Sequence, residues 1–364
     1  MTEGYLSSCS TNGLGGGIRE ALLDDGYAVV RGVLSRAECA AQLDLMWDFV
    51  ERSSGGRVSR FDAQSWYPSA AGASGVPEDP WPHSGWKSFC DMFQTRGAGW
   101  VFCGLREVLA DRVFAPLWGT RALHCSKEGF TFHRPTEGGR HPSAGRTIHV
   151  CGKPQLDSCG EHFDQGAGEL GLHYVQSSTC IVDQGQADAC FMCWPGSHRM
   201  HASTVGPTYR GRSNWVPLTG QELQALSAAG LRRVRVPVAA GDVILWRSDL
   251  AHAAAPPLGE SPNFRAVVFA AMLPATLTPG SVLPLKYQAY VEARTGDHGA
   301  SRESWHAEKG GVGRELYSSG SCSSSSSNGD SVGAGKEGAV SLPVLVPPPK
   351  LTHRQAQLHG VIPY

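Results

Sequence analysis

At 364 residues, with 41% hydrophobic residues and a net charge of −1, the chain has material for a sizeable core and no global field to draw nucleic acid or an anionic membrane. The 11 cysteines follow no framework spacing, the opening lacks the basic and apolar blocks of a signal peptide, and no apolar run approaches the roughly 18 residues of a membrane span. Reduced thiols in an intracellular, cytoplasmic protein that is not secreted are expected.

Residues 1–17, polar and Gly-rich, are expected to be disordered. Ile18 to Asp25 has a short helical pattern, and Gly26 to Leu34 reads as a buried strand with a turn at Gly32. Ser35 followed by Glu38 makes a capping box for a helix to about Glu51, with Cys39, Leu43, Met46, Trp47 and Val50 as its apolar stripe. From Ser53 to Ser88 the chain is Gly- and Pro-rich loop that nonetheless holds Trp66, Tyr67, Trp81 and Trp86. So many aromatics predict a loop packed over a pocket. Leu105 to Leu117 returns to helical periodicity.

The chain then turns β. Ala122 to Arg134 reads as one or two strands, Thr147 to Val150 as another, and His162 to Asp164 lies on the next. Leu172–Val182, Ala189–Trp194, Arg235–Val238, Asp242–Trp246, Ala251–Ala255 and Phe264–Leu273 follow. An insertion, Ser203 to Gly230, carries a helix at Gln221 to Ala229. About eight short strands without βαβ alternation predict a mainly β fold with flanking helices, its core a double-stranded β-helix (a cupin-like jelly roll) over about residues 122–275. A single domain over 18–309 is expected, ending in a helix-like extension from 283 to 307. Ser/Gly-rich disorder over 310–339 and a tail, 340–364, that docks on the core complete the chain.

The chemistry starts at Gly160-Glu-His-Phe-Asp. His162 and Asp164 are two residues apart, so on a strand they leave the same face. An imidazole and a carboxylate presented together are two parts of a two-His-one-carboxylate triad, which suits non-haem Fe(II). His252, 90 residues later, follows the buried strand of Gly241-Asp-Val-Ile-Leu-Trp and can return the third ligand. Arg265 opens an apolar strand, where a guanidinium is costly unless paired and matches a carboxylate with two parallel bonds. Alone, His252 reads as a core histidine bonded to a backbone carbonyl; beside His162, Asp164 and Arg265 it reads as a ligand, with His198 and His201 as rivals. Gln176, polar in the middle of a strand, reads as a cosubstrate contact or a buried structural amide. Cys190 and Cys193 face opposite sides of a strand, which argues against zinc, and Gly13 to Gly17 lacks the Lys-Ser/Thr of a phosphate loop.

Asp25-Gly-Tyr-Ala-Val-Val-Arg-Gly-Val-Leu, His162-Phe-Asp164, Pro195-Gly-Ser-His198, Gly241-Asp-Val-Ile-Leu-Trp with His252, and Arg265 occur in one order over roughly residues 20–275. In this order they resemble the phytanoyl-CoA dioxygenase-like Fe(II)/2-oxoglutarate oxygenases. The resemblance implies catalytic iron on His162, Asp164 and His252, with the distal carboxylate of 2-oxoglutarate on Arg265. It implies a dioxygenase that consumes O₂, hydroxylates a small organic substrate and converts 2-oxoglutarate to succinate and CO₂. A monomer with a small-molecule substrate and no membrane partner is expected. A non-catalytic jelly-roll binding module is the competing class. Leu117-Trp-Gly-Thr is also similar to relatives that include a 5-methylcytosine-modifying enzyme dependent on ascorbate, a nucleic-acid reading that the neutral charge does not favour. The C-terminal Ile-Pro-Tyr is not a peroxisomal signal, which argues against phytanoyl-CoA itself as substrate.

Overall fold

In a computed structural model of the chain, residues 15–68, 79–82, 91–139, 141, 147–150, 153–156, 160–166, 169–205, 215–302 and 350–364 are described. The strands are β1 (Tyr27–Val30), β2 (Met92–Phe93), β3 (Leu123–Cys125), β4 (Phe130–His133), β5 (Thr147–Val150), β6 (Lys153–Leu156) and β7 (His162–Phe163). They continue as β8 (Val175–Cys180), β9 (Cys190–Cys193), β10 (Val216–Pro217), β11 (Val234–Val236), β12 (Val243–Arg247), β13 (His252–Ala255) and β14 (Arg265–Pro274). One sheet runs β1-β12-β8-β14-β4-β2 with β3 beside β14, and a second runs β10-β7-β13-β9-β11. The pairings are antiparallel. From β7 onward the chain passes back and forth between the sheets, with β8, β12 and β14 in the first and β7, β9, β11 and β13 in the second. That alternation is a double-stranded β-helix with flanking helices.

Strand periodicity sorts the side chains. Ile244, Trp246 and Val267 of the first sheet meet Phe191 and Cys193 of the second inside the barrel. Their sequence neighbours Val243, Leu245, Ala266 and Val268 join Phe130 and Phe132 on the opposite face, against Met46, Trp47 and Val50 of the helix Arg36–Ser53. Cys190 and Cys193 accordingly part, one into each cluster. The capping box forms, with Ser35 Oγ accepting from Glu38 N and Glu38 Oε2 accepting from Ser35 N. Gly241, at φ +95°, turns the chain into β12, and a Cβ there would lie 2.2 Å from the Leu34 carbonyl oxygen. The expected helix at 105–117 is Cys103–Leu109, continued through a π-helical segment, Ala110–Phe114, to Ala115–Trp118. Pro116, which has no N–H for the ladder, follows that irregular turn. The insertion's helix is Gly220–Ala228, and the extension begins as the helix Leu283–Val291.

The aromatic loop is not over the barrel interior. Trp66 and Trp81 lie 5.3 and 5.7 Å from Trp47, against Phe132 and Phe264, on the helix side of the first sheet. Indole rings serve a core as well as a pocket, and here Arg134 decides between them. Its guanidinium binds Asp79 through two bonds of 2.8 and 2.9 Å, holds the Trp66 carbonyl, and stacks over Trp81 at 5.1 Å. Trp86 and the segments 1–14 and 303–349 lie outside the described residues. The end of the chain forms a helix, His353–Leu358, with Leu358 buried in the main core and the Tyr364 hydroxyl on the backbone of Leu123.

Arg134 also binds Asp91, Nε to Oδ2 at 2.9 Å and Nη2 to Oδ1 at 2.9 Å, with both side chains buried. Burial would raise the Asp91 carboxyl, but Arg134 and His141 overcome it and hold the group well below the ordinary carboxylate range. Removing one partner from a buried pair costs about 3–5 kcal/mol, the loss expected for Arg134→Ala in urea unfolding. Because the folded-state value is depressed, the pair's contribution is full above the unfolded value, about pH 4, and declines as pH falls below it. A midpoint unchanged by Arg134→Ala at pH 7 would refute this assignment.

Candidate functional site

Register builds the site. In β13, His252 stands directly opposite His162 of β7, so both rings project from one face and their centroids lie 4.4 Å apart. Asp164, two residues past His162, returns to that face. His162 Nε2 is 3.5 Å from Asp164 Oδ1, and His252 Nε2 is 3.1 Å from Asp164 Oδ2. The other ring nitrogens are committed, His162 Nδ1 to the Gly160 carbonyl at 2.8 Å and His252 Nδ1 to the Leu250 carbonyl at 2.9 Å. With the proton held on Nδ1, each Nε2 turns its lone pair toward Asp164, the orientation metal-binding histidines need.

The surroundings hold His162 neutral and Asp164 ionised. Burial, and after it His252, lowers His162 to about 4, so its ring is neutral near pH 7. Burial alone would raise Asp164, but His298, His162 and His252 outweigh it and hold the carboxyl far below its ordinary value. Gln176 Nε2 donates to Asp164 Oδ2 at 2.9 Å, and the Tyr174 hydroxyl donates to the Asp164 carbonyl. Trp246 and Phe191 lie 5.3 and 5.7 Å from the His252 ring, and Trp215 lies 5.8 Å from His162.

Arg265 opens β14, whose Val267 packs inside the barrel, and two residues along a strand share a face. It is 3% exposed, yet Nε and Nη1 have no hydrogen-bond partner. A buried guanidinium with unfilled donors is a seat for an anion that a ligand must bring. The donor set and this seat therefore fit both a divalent iron and a dicarboxylate beside it.

The remaining sequence candidates go elsewhere. His198 Nε2 rests on the Leu23 carbonyl and His201 Nε2 on the Gln165 carbonyl. Gln176 is placed by its bond to Asp164. Three neighbours of the triad escaped the sequence reading. Tyr174 lies just ahead of β8, two residues before Gln176, a spacing that period-two counting could have flagged. Glu128 is buried, raised to about 7 chiefly by burial, and accepts from Ser126 Oγ at 2.8 Å. His298, its ring 5.2 Å from Tyr174, comes from beyond the barrel and had no local signal. Burial opposes a charged His298, while Asp164, Asp297 and Glu128 raise it above the ordinary histidine value.

Residues 161–266 match the family model described as phytanoyl-CoA dioxygenase, a span from one residue before His162 to one past Arg265. The matched span covers the stretch of barrel that carries His162, Asp164, His252 and Arg265. No curated protein matches it. Solved structures similar to it include the non-heme alpha ketoglutarate dependent carbocyclase SnoK from nogalamycin biosynthesis, at 17% identity over 72% of this chain and 85% of that one, TM-score 0.46. EctD from S. alaskensis with 2-oxoglutarate and 5-hydroxyectoine is 14% identical over 81% and 84%, TM-score 0.45. AviO1 from Streptomyces viridochromogenes Tue57 is 17% identical over 73% and 96%, TM-score 0.42. The match over residues 161–266 and the His162, Asp164 and His252 cluster within it make the chain an Fe(II)/2-oxoglutarate-dependent oxygenase, with Fe(II), 2-oxoglutarate and O₂ as its cofactors. Among the described residues, no helix is long and apolar enough to cross a membrane.

Partners that orient metal-binding groups are worth about 10–100-fold in metal affinity. Gln176→Leu, which removes the donor on Asp164, should weaken Fe(II) binding by about that factor in a chelator competition. Unaltered affinity would show that Asp164 needs no such support.

Proposed function

We propose that His162, Asp164 and His252 hold Fe(II) and that Arg265 takes the distal carboxylate of 2-oxoglutarate. On this reading the chain hydroxylates a C–H bond of a small organic substrate. One oxygen atom of O₂ enters the substrate as hydroxyl, and the other enters the succinate formed as 2-oxoglutarate loses CO₂. The observation that carries the proposal is the pairing of the triad with a buried, unfilled guanidinium in the same barrel.

The bound iron and keto acid supply the oxidising power. What the chain supplies is position and shelter. The carbonyls of Gly160 and Leu250 fix which nitrogen each histidine offers, and Gln176 restrains one oxygen of Asp164. Trp246, Phe191 and Trp215 give the centre an aromatic wall that keeps water away from it.

Anaerobic addition of Fe(II) and 2-oxoglutarate should produce the weak visible band of the chelate, and admission of O₂ should release succinate. Both signals should vanish in His162→Ala and in Asp164→Ala. Arg265→Ala, which loses a charge-assisted contact of about 1.5–3 kcal/mol, should raise the 2-oxoglutarate requirement about 10- to 100-fold. A band that survives His162→Ala would overturn the assignment. A band without succinate would identify a binding module instead. Succinate release screened across acyl-CoAs, free metabolites and methylated DNA then identifies the substrate class.

A further inference from the structure

Two groups of buried polar side chains lie apart from the iron centre. Asp91, His133 and His141 have ligand atoms within 4.8 Å of one another. Arg134 already binds both oxygens of Asp91, so a divalent ion there would leave an excess of buried positive charge. That set is closed. The second group gathers where the C-terminal helix, His353–Leu358, docks on the body, and its members are basic.

Arg106 comes from the helix Cys103–Leu109, Lys127 from the residues just after β3, and Lys286 from the helix Leu283–Val291. His124 lies on β3, and His359 ends the C-terminal helix. All five are buried. Trp100 and Gly360 show that they meet. The Trp100 ring has the His359 ring 5.1 Å away and Lys127 Nζ 5.9 Å away. Arg106 Nη1 donates to the carbonyl of Gly99, one residue earlier, at 2.7 Å. A Cβ on Gly360, the residue after His359, would lie 2.6 Å from Lys286 Cδ and 3.7 Å from His124 Cδ2.

Both ring nitrogens of His359 are buried without a hydrogen-bond partner, and so is Arg106 Nε. Burial, then Arg106, Lys127, Lys286 and His124, holds the His359 ring well below the ordinary histidine value. Its ring is therefore neutral near pH 7 and carries one N–H to give. Cations gathered out of water repel one another, and an anion shared among them relieves that repulsion. Unfilled nitrogens beside those cations call for an anion with several acceptor oxygens. We infer that Arg106, Lys127, Lys286 and His359 seat one small tetrahedral oxyanion, sulfate or phosphate, beneath the C-terminal helix. Arg106 and His359 bring directed N–H groups, and the two ammonium groups bring further charge. The burial of all four suits an inorganic ion rather than the end of a larger molecule. The seat uses none of the iron ligands and not Arg265, and it ties the C-terminal helix to two others.

The test titrates the whole chain with sulfate by calorimetry, after dialysis into chloride and at constant ionic strength. Mn(II) and 2-oxoglutarate are present throughout, so that the iron centre is occupied. One saturable site is expected. Lys286→Met should weaken it about 10- to 100-fold and His359→Leu about tenfold, the ranges for a charge-assisted and a neutral hydrogen bond. Arg265→Ala should leave it unchanged. Amide exchange over residues 353–358 should slow as the site fills. A parallel titration with phosphate tells which oxyanion is preferred, and saturable binding of either supports the inference. No saturable binding of either would overturn it. So would binding that is lost in Arg265→Ala and kept in Lys286→Met, which places the anion at the iron centre. If Lys286→Met fails to fold by circular dichroism, Lys127→Met and His359→Leu decide by the same titration.

Discussion

The site depends on one cross-strand pair. Opposing His252 to His162 across β7 and β13 brings two buried imidazoles and the Asp164 carboxylate to one face. Each Nδ1 is taken by a carbonyl, so the Nε2 lone pairs and a carboxylate held ionised converge on one point. Electron-rich groups gathered out of water repel one another, and a shared cation is the simplest resolution. A one-residue slip of β13 would turn His252 outward and dissolve the arrangement. The barrel's antiparallel register is therefore the condition for the chemistry.

Two kinds of buried polar group divide the molecule. On the helix side of the first sheet, Arg134, Asp91 and Asp79 fill one another's hydrogen bonds and tie the loop's aromatics to the core. On the barrel side, Arg265 keeps unfilled atoms. The first group stabilises the fold by being complete. The second is incomplete in a way that suits a ligand, and the two meet at the end of β4, where Phe132 faces the aromatic core and His133 faces the interior.

Much of this is legible in the sequence because it depends on spacing. The interval of two between His162 and Asp164 fixes a shared face, and the strands around His252 and Arg265 read as buried from their apolar runs. The capping box at Ser35 is local chemistry and reads directly. The aromatic loop misled because its placement depends on Arg134, Asp79 and Asp91, an ion-pair network spanning distant segments. Phe130-Thr-Phe-His133 carried the alternation that separates Thr131 and His133 from the core side, but register alone reveals that His133 faces Arg265. His298 lies outside every strand and depends wholly on how the extension folds back.

The central claim is that one cation sits on His162, Asp164 and His252 with the keto acid between it and Arg265. An anaerobic crystal structure with Mn(II) and 2-oxoglutarate, phased to show anomalous scattering, tests it most directly. A single anomalous peak within bonding distance of the two Nε2 atoms and Asp164, with the distal carboxylate on Arg265, is the predicted result. A peak at Asp91, His133 and His141, or a carboxylate turned away from Arg265, would contradict it.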